Sequence, residues 1–273
     1  MEDRTTKDVH AEVRGHYGKV ARGESCETGC CGGAPRKTNA TQLGYSETER
    51  SAAPQGSDMG LGCGNPQTIA SLRVGETVLD LGSGGGFDAF LAARQVGPAG
   101  KVIGVDITAD MISKARANAA TLGASNVEFR LGEIENLPVA DRSVDVIISN
   151  CVVNLAPDKR AVYREVLRVL KPGGRIAIMD VIATALLPER LRTSAKALSG
   201  CLAGATPMEE IEPMLESLGF EEVHVEIKRG SEEFIKDWLP DSGAEQYVAS
   251  AAIRAVRPNG GGCCGTSPKA PCC

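Results

Sequence analysis

One join in this chain excludes most folds. In VLDLGSGGGFDAFLAA, residues 78–93, a short apolar run passes directly into a helical run through a loop of alternating glycines. Gly82, Gly84 and Gly86 allow a tight turn and a close approach to a ligand, beside a helix start whose first N–H groups have no partner within the helix. The next apolar run, KVIGVD (101–106), ends on Asp106, twenty residues after Gly86. An acid at that point accepts both hydroxyls of a ribose. A glycine-rich loop alone is weak evidence, whereas strand, loop, helix, strand and Asp in this order predict a nucleotide site.

The spelling narrows the nucleotide. A dinucleotide loop typically reads G-x-G-x-x-G, with room for a pyrophosphate over the helix start. Here the order is Asp80-x-Gly82-x-Gly84-x-Gly86. A carboxylate before the glycines repels pyrophosphate, but it can order water and amide donors around a ligand that carries an ammonium group.

Apolar runs alternate with helical spacing through the middle of the chain. ETVLDL (76–81), KVIGVD (101–106), NVEFRL (126–131), VDVIIS (144–149) and GRIAIMDV (174–181) are expected strands. Between them FDAFLAARQV, ADMISKARANAATLG and DKRAVYREVLRVL have helical spacing, with Thr108 as an N-cap, Gly123 as a C-cap and KPGG as a stop. This alternation predicts a parallel sheet covered on both faces. Residues 1–58 form a Cys- and Gly-rich segment with one short helix over 9–21, its apolar face Val9, Val13 and Val20. Residues 59–182 form the nucleotide domain, 183–257 an α+β appendage that completes the site, and 258–273 a flexible Cys-rich tail. In the appendage PERLRTSAKAL and TPMEEIEPMLESLGF look helical, while EEVHVEIK and QYVASAAIRAV look like strands.

Formal charge is −5 and the composition is that of a soluble protein, which disfavours a nucleic-acid surface. No apolar run approaches a membrane span, and MEDRTTKDVH lacks a signal-peptide core, so a cytoplasmic protein is expected. Ten cysteines are then unusual, because a reducing compartment does not favour a disulfide framework. Cys26, Cys30 and Cys31 lie in CETGCCGG, and Cys263, Cys264, Cys272 and Cys273 lie in the tail. Only Cys63, Cys151 and Cys201 belong to the body. Clustered thiols in polar segments suggest soft-metal or redox chemistry. Cys151 follows the carboxyl end of the fourth expected strand, the edge at which open α/β sheets bind ligands. The three histidines, His10, His16 and His224, lie outside the strand-edge loops. That lack of a base suits a nucleophile that brings its own lone pair.

The D-x-G-x-G-x-G pattern resembles motif I of class I S-adenosylmethionine-dependent methyltransferases, over residues 66–182. The resemblance implies a Rossmann-like α/β sheet in which Asp80, Gly82, Ser83, Gly84 and Gly86 serve the methionine end of the cofactor. It assigns the ribose to Asp106, with Ile107 in the same cofactor-binding set, and adenine to Glu133 and Ile134 of GEIENLP. Met111 would pack on the adenine face, and Asn150 would line the methionine end.

A narrower resemblance rests on LGCGNP, SNCVVNL and SGCLAGATP, spread over residues 60–206. Together they resemble arsenite S-adenosylmethyltransferases. The resemblance implies four working cysteines, of which Cys63, Cys151 and Cys201 match by motif and would hold trivalent arsenic. Cys31 is favoured for the fourth, by its position relative to Cys63, with Cys30 and Cys26 as competitors. Arsenite and methylarsenite are the implied substrates, with antimonite as a further candidate, and thioredoxin- or glutathione-type thiols the implied reductant. Cys63, which contributes nothing to a turn or a cap, would then be a ligand or redox partner on a glycine loop. The tail thiols would capture arsenite and pass it on. Competing readings are a generic small-molecule methyltransferase, which has no use for three placed thiols, and a zinc- or arsenic-binding sensor, against which an intact Asp80, glycine loop and Asp106 argue.

Overall fold

The computed structural model describes residues 6–24, 40–194, 197 and 201–259. The expectations for Cys26, Cys30, Cys31 and the tail cysteines fall outside the described residues. One eight-stranded sheet organises the rest. Its strands are β1 (Thr77–Leu81), β2 (Lys101–Asp106), β3 (Val127–Leu131), β4 (Val144–Asn150), β5 (Leu170–Ala183), β6 (Thr206–Pro207), β7 (Glu221–Ile227) and β8 (Val248–Val256). Their order is β3-β2-β1-β4-β5-β8-β7, with β6 on the end of β5. All neighbours from β3 to β5 pair in parallel, and β8 runs antiparallel to both β5 and β7.

Period-two side-chain alternation divides the core. Val78, Val102, Val146 and Ile148 face one side, where they pack with Ala89, Phe90, Ala93 and Val96 of α5 (Phe87–Val96) and Ile112 and Ala115 of α6 (Ala109–Leu122). Leu79, Leu81, Ile103 and Ile147 face the other, against Val162, Val166 and Val169 of α7 (Lys159–Val169). Burial on both faces explains why these strands read as nearly unbroken apolar runs. Gly123 ends α6 in the left-handed region as expected, while Thr108 occupies the N-cap position without a capping side-chain bond.

Two expectations need correction. KPGG stops α7 as expected, at Val169, but β5 begins earlier than the expected 174, at Leu170, which pairs with Val144 before a bulge brings Arg175 opposite Val146. The segment 183–257 has the expected α+β content, with α9 at Met208–Leu218 following the short α8 at Glu189–Arg192. Its strands do not stand apart, however, because β8 pairs with the whole of β5 from Arg175 to Ala183 and β7 pairs with β8. An unpaired β5 edge would leave a row of backbone donors and acceptors open, and these strands close it. Among the described residues no helix is long and apolar enough to cross a membrane.

A third apolar cluster lies over the carboxyl ends of β4 and β5. It gathers Cys63, Cys151 and Cys201 with Met179, Val181 and Leu202, and it takes Val9 and Val13 from α1 (Thr6–Arg22). The predicted helix over 9–21 thus exists, and it packs across this end of the sheet.

Candidate active site

The glycine loop leaves β1 at the carboxyl edge of the sheet. Gly82 has φ of +67°, and a Cβ built there would meet Val152 Cγ2 at 2.4 Å, so the backbone passes where no side chain fits. Gly86, at φ of +93°, occupies the N-cap position of α5. Asp106, at the end of β2, accepts from the backbone N–H of Gly84 at 2.9 Å through Oδ2 and from that of Thr108 at 2.8 Å through Oδ1. Burial pushes its carboxyl up, against the lowering effect of those two N–H groups. Asp80 lies beneath the loop, 2% exposed, with Oδ2 buried and unpartnered. Burial, and then the carboxylates of Asp88 and Asp106, push it well above the usual carboxylate range. A buried acid with an idle acceptor under a glycine turn is a place for a ligand bearing polar hydrogens.

A cavity opens above this loop. Gly82, Gly84, Asp106, Ile107, Met111, Ile134, Asn150, Cys151 and Cys201 all line it, as do residues the sequence did not mark. Asp80, Ser83, Gly86, Glu133 and Cys63 do not line it. Residues 133–136 form a tight bridge, Asn136 N–H to Glu133 C=O at 3.1 Å, and the Glu133 side chain is 42% exposed. Its carboxylate then meets Arg14 at 3.4 Å and His10 Nδ1 at 3.3 Å. The neighbouring Glu135 takes the wall instead, with Oε1 3.0 Å from His10 Nε2. His10, Val13 and Tyr17 of α1 form part of the cavity wall. The sequence reading kept His10 away from the strand-edge loops, yet it follows Val9 and precedes Val13 by three, a spacing that puts it on the helix's buried side. Trp238, the single tryptophan, also reaches the cavity.

Asn150, the last residue of β4, holds the loop that carries Cys63. Its Oδ1 accepts from the Cys63 N–H at 2.9 Å, and its Nδ2 donates to Gly64 C=O at 2.8 Å and to Tyr45 Oη at 3.0 Å. Tyr45 donates in turn to the Asp88 carboxylate at 2.8 Å. Asn65 Oδ1 accepts from Gln67 N–H at 2.9 Å, where the short helix α4 (Gln67–Ala70) begins. Ser250 Oγ donates to Cys63 C=O at 2.8 Å, which fixes the other side of the loop.

Cys151 follows Asn150 with φ of +61°, and Cys201 has φ of +64°. Both sit in the left-handed region that non-glycine residues enter at a cost, a conformation that accumulates at functional sites. Cys151 N–H donates to Met179 C=O at 2.7 Å, and Cys201 Sγ donates to Cys151 C=O at 2.9 Å. Asn154 adds a tie from below, its Nδ2 reaching Asp180 Oδ1 at 2.9 Å and Cys201 C=O at 3.3 Å. The thiols of Cys201 and then Cys63, together with burial, push the Cys151 thiol well above its ordinary value. All three cysteines are free and buried. Among the described residues no three His, Cys, Asp or Glu side chains are arranged to hold a metal ion as they stand.

Comparison with known proteins identifies the family. A family profile described as "Methyltransferase domain" matches residues 72–219. The chain is 48% identical over 94% of its length to arsenite methyltransferase of Halobacterium salinarum, and covers 68% of that protein. It is 39% identical over 78% of its length to arsenite methyltransferase of Aquipseudomonas alcaligenes, and covers 62% of it. A solved arsenic(III) S-adenosylmethionine methyltransferase from Chlamydomonas reinhardtii superposes with a TM-score of 0.61 at 32% identity, covering 83% of this chain and 76% of that one. These similarities and the Rossmann-like sheet agree: the chain belongs to the arsenite methyltransferases, within the class I S-adenosylmethionine-dependent methyltransferases.

Proposed function

We propose that this chain methylates trivalent arsenic while Cys63, Cys151 and Cys201 hold it. One observation carries the reading: two of the three buried thiols line the same cavity as Gly82, Gly84 and Asp106, and the third acts on Cys151 from behind its wall. Trivalent arsenic is thiophilic, so thiolates select it over hard ions. Each thiolate displaces one hydroxide from arsenite, and a trithiolate keeps a lone pair on arsenic. S-adenosylmethionine, when bound, supplies an electrophilic methyl group.

The residues fit that cofactor. Asp106 offers acceptors at the cavity wall, and Met111 and Ile134 offer apolar contact, while Asp80 stands outside the lining with one buried oxygen unpartnered. Asn150 lines the cavity and also bonds the Cys63 loop, so one side chain aligns the two halves of the site. Methylation takes arsenic formally to the pentavalent state. Two neighbouring thiols return it to the trivalent state by giving up two electrons and closing a disulfide, which thioredoxin- or glutathione-type thiols reopen. Arsenite and methylarsenite are the substrates of this scheme, antimonite is a candidate on the same chemistry, and the outcome is arsenic detoxification in a reducing cytoplasm.

Replacement of single thiols tests the proposal. Cys151→Ser and Cys201→Ser should each abolish methylation of both arsenite and methylarsenite, as measured by arsenic speciation after incubation with S-adenosylmethionine and thiol. Cys63→Ser should impair the first methylation and spare the second, where fewer exchangeable positions on arsenic remain. Full activity of Cys201→Ser would defeat the proposal. A generic methyltransferase would keep its activity when the thiols are blocked.

A further inference from the structure

Cys151 and Cys201 stand fifty positions apart, and one buried side chain is bonded into the surroundings of both. Asn154 lies in the single helical turn Val153–Leu155 that follows Cys151, and it is 4% exposed. Its Nδ2 donates to Asp180 Oδ1 at 2.9 Å, to Cys201 C=O at 3.3 Å and to Val181 C=O. Three oxygens around a group with two hydrogens fix which way the amide points. Its backbone N–H donates to Asp180 Oδ2 at 3.3 Å, so Asp180, itself buried in β5, grips Asn154 by main chain and side chain together. The Cys201 loop presses on the same residue from the other side. A Cβ on Gly204 would lie 2.1 Å from the Asn154 carbonyl oxygen, so the loop passes this turn at a distance that only glycine allows. Asn154, Asp180 and Gly204 all lie outside the lining of the cavity, whereas Cys151 and Cys201 are part of it.

We infer that Asn154 is a positioning residue for arsenic uptake: held by Asp180, it sets the Cys201 loop against the turn after Cys151 and so presents the two thiols as a pair. Cys201 Sγ donates to Cys151 C=O at 2.9 Å, so the two residues are already in contact. Both have positive φ, a conformation that persists only where the surroundings over-determine it. For Cys201 the Asn154 amide supplies part of that restraint, through the Cys201 carbonyl. A dithiol that is paired in advance loses less freedom when arsenic bridges it, so it captures arsenite more tightly than two thiols on a loose loop. In that capture each sulfur forms a bond to arsenic and one As–O bond breaks. Each thiol proton leaves with a hydroxide as water, and arsenic remains trivalent with no electron exchanged. Once both As–S bonds exist, arsenic itself holds the sulfurs together. Asn154 therefore acts on capture and not on methyl transfer.

This rests on the reading of Cys151 and Cys201 as arsenic ligands, and one readout is independent of arsenic. Three variants of the full chain are compared. Asn154→Ala removes the amide. Gly204→Ala drives the Cys201 loop off the turn from the other side, and it decides the matter if Asn154→Ala does not fold. Asp180→Asn keeps an acceptor for the Asn154 amide. The first readout is the equilibrium between the Cys151–Cys201 disulfide and the two thiols in glutathione buffers, by mass spectrometry of the linked peptides. Glutathione disulfide takes the two electrons and two protons and becomes two glutathione thiols. In Asn154→Ala and Gly204→Ala the disulfide should be about tenfold less favoured, a reduction potential about 30 mV higher, and in Asp180→Asn it should stay within about threefold. The second readout is steady-state methylation. Arsenite KM should rise about tenfold in the first two variants while kcat falls less than about threefold, with the calorimetric S-adenosylmethionine Kd unchanged. A thiol equilibrium that stays within about twofold of the unmodified chain in the folded variants, or an equal loss of cofactor affinity, overturns the role of Asn154. A shifted thiol equilibrium with an unchanged arsenite KM supports the pairing by Asn154 and overturns instead the reading of these two thiols as arsenic ligands.

Discussion

Gly64→Ala probes whether the Cys63 loop is seated on the strand that positions Cys151. A Cβ on Gly64 would lie 2.2 Å from Met179 Cε, 2.9 Å from Cγ and 3.1 Å from Cβ. The end of a methionine can swing away, but its Cβ and Cγ are anchored to β5, and Met179 is only 4% exposed. The methyl group therefore has to displace the loop or the strand. Overpacking of this kind costs about 1–3 kcal/mol. In a chain of this size that lowers Tm by roughly 2–12 °C. The displacement also has a specific consequence, because Met179 C=O accepts the Cys151 N–H. Lifting the loop off Met179 separates Cys63 from Cys151, so arsenite methylation should fall further than the lost stability accounts for. Cofactor affinity should hold, since Gly64 does not line the cavity. Thermal unfolding, titration calorimetry with S-adenosylmethionine and arsenic speciation measure the three quantities. Met179→Ala in the same chain gives room to the new methyl, so the double variant should be less impaired than the sum of the single ones, by about 0.5–3 kcal/mol. Strict additivity, or a Gly64→Ala chain with unchanged Tm and rate, would refute the packing argument.

Asp106→Ala removes the acceptor expected for the ribose and also frees the N–H groups of Gly84 and Thr108. Charge-assisted bonds are each worth about 1.5–3 kcal/mol, so calorimetry should show at least a roughly tenfold weaker S-adenosylmethionine complex while arsenite still binds. An unchanged Kd removes Asp106 from the cofactor site. Burial raises Asp180 to about 6, against the N–H groups of Val181, Asn154 and Val153 and the charge of Lys159. Its folded value lies above the unfolded one, so its contribution to stability is full below about pH 4 and is lost as pH rises through about 6, a swing of about 3 kcal/mol. Asp180→Asn should flatten that part of the stability profile in urea unfolding at a series of pH values. A slope identical to that of the unmodified chain would show that Asp180 does not titrate there.

Local chemistry made much of this molecule legible from its residues. The turn after β1 needs glycine wherever backbone crosses Val152 or enters α5 with positive φ, and such positions declare themselves in sequence. Strands buried on both faces appear as apolar runs, and β2 begins and ends where the pattern puts it. Cys151 stands out by its place after the fourth strand, and Cys63 and Cys201 by the motifs LGCGNP and SGCLAGATP, all visible without coordinates. Other features depend on contacts between residues distant in sequence. Nothing local distinguishes a strand of a separate appendage from one that completes the main sheet, because pairing of β8 with β5 is a choice among available edges. The same holds for the cavity wall: His10 meets Glu135 across 125 positions, and that contact exists only once α1 is packed against the sheet edge. Glu133 and Glu135 are equivalent in composition and both reach His10, yet only Glu135 lines the cavity. Sequence therefore determined the glycine loop, the acid that ends β2 and the three body cysteines. The fold decided which of them line the cavity, and that Asn150 and Met179 bring Cys63 and Cys151 together, because spatial neighbours are set by packing rather than by order along the chain.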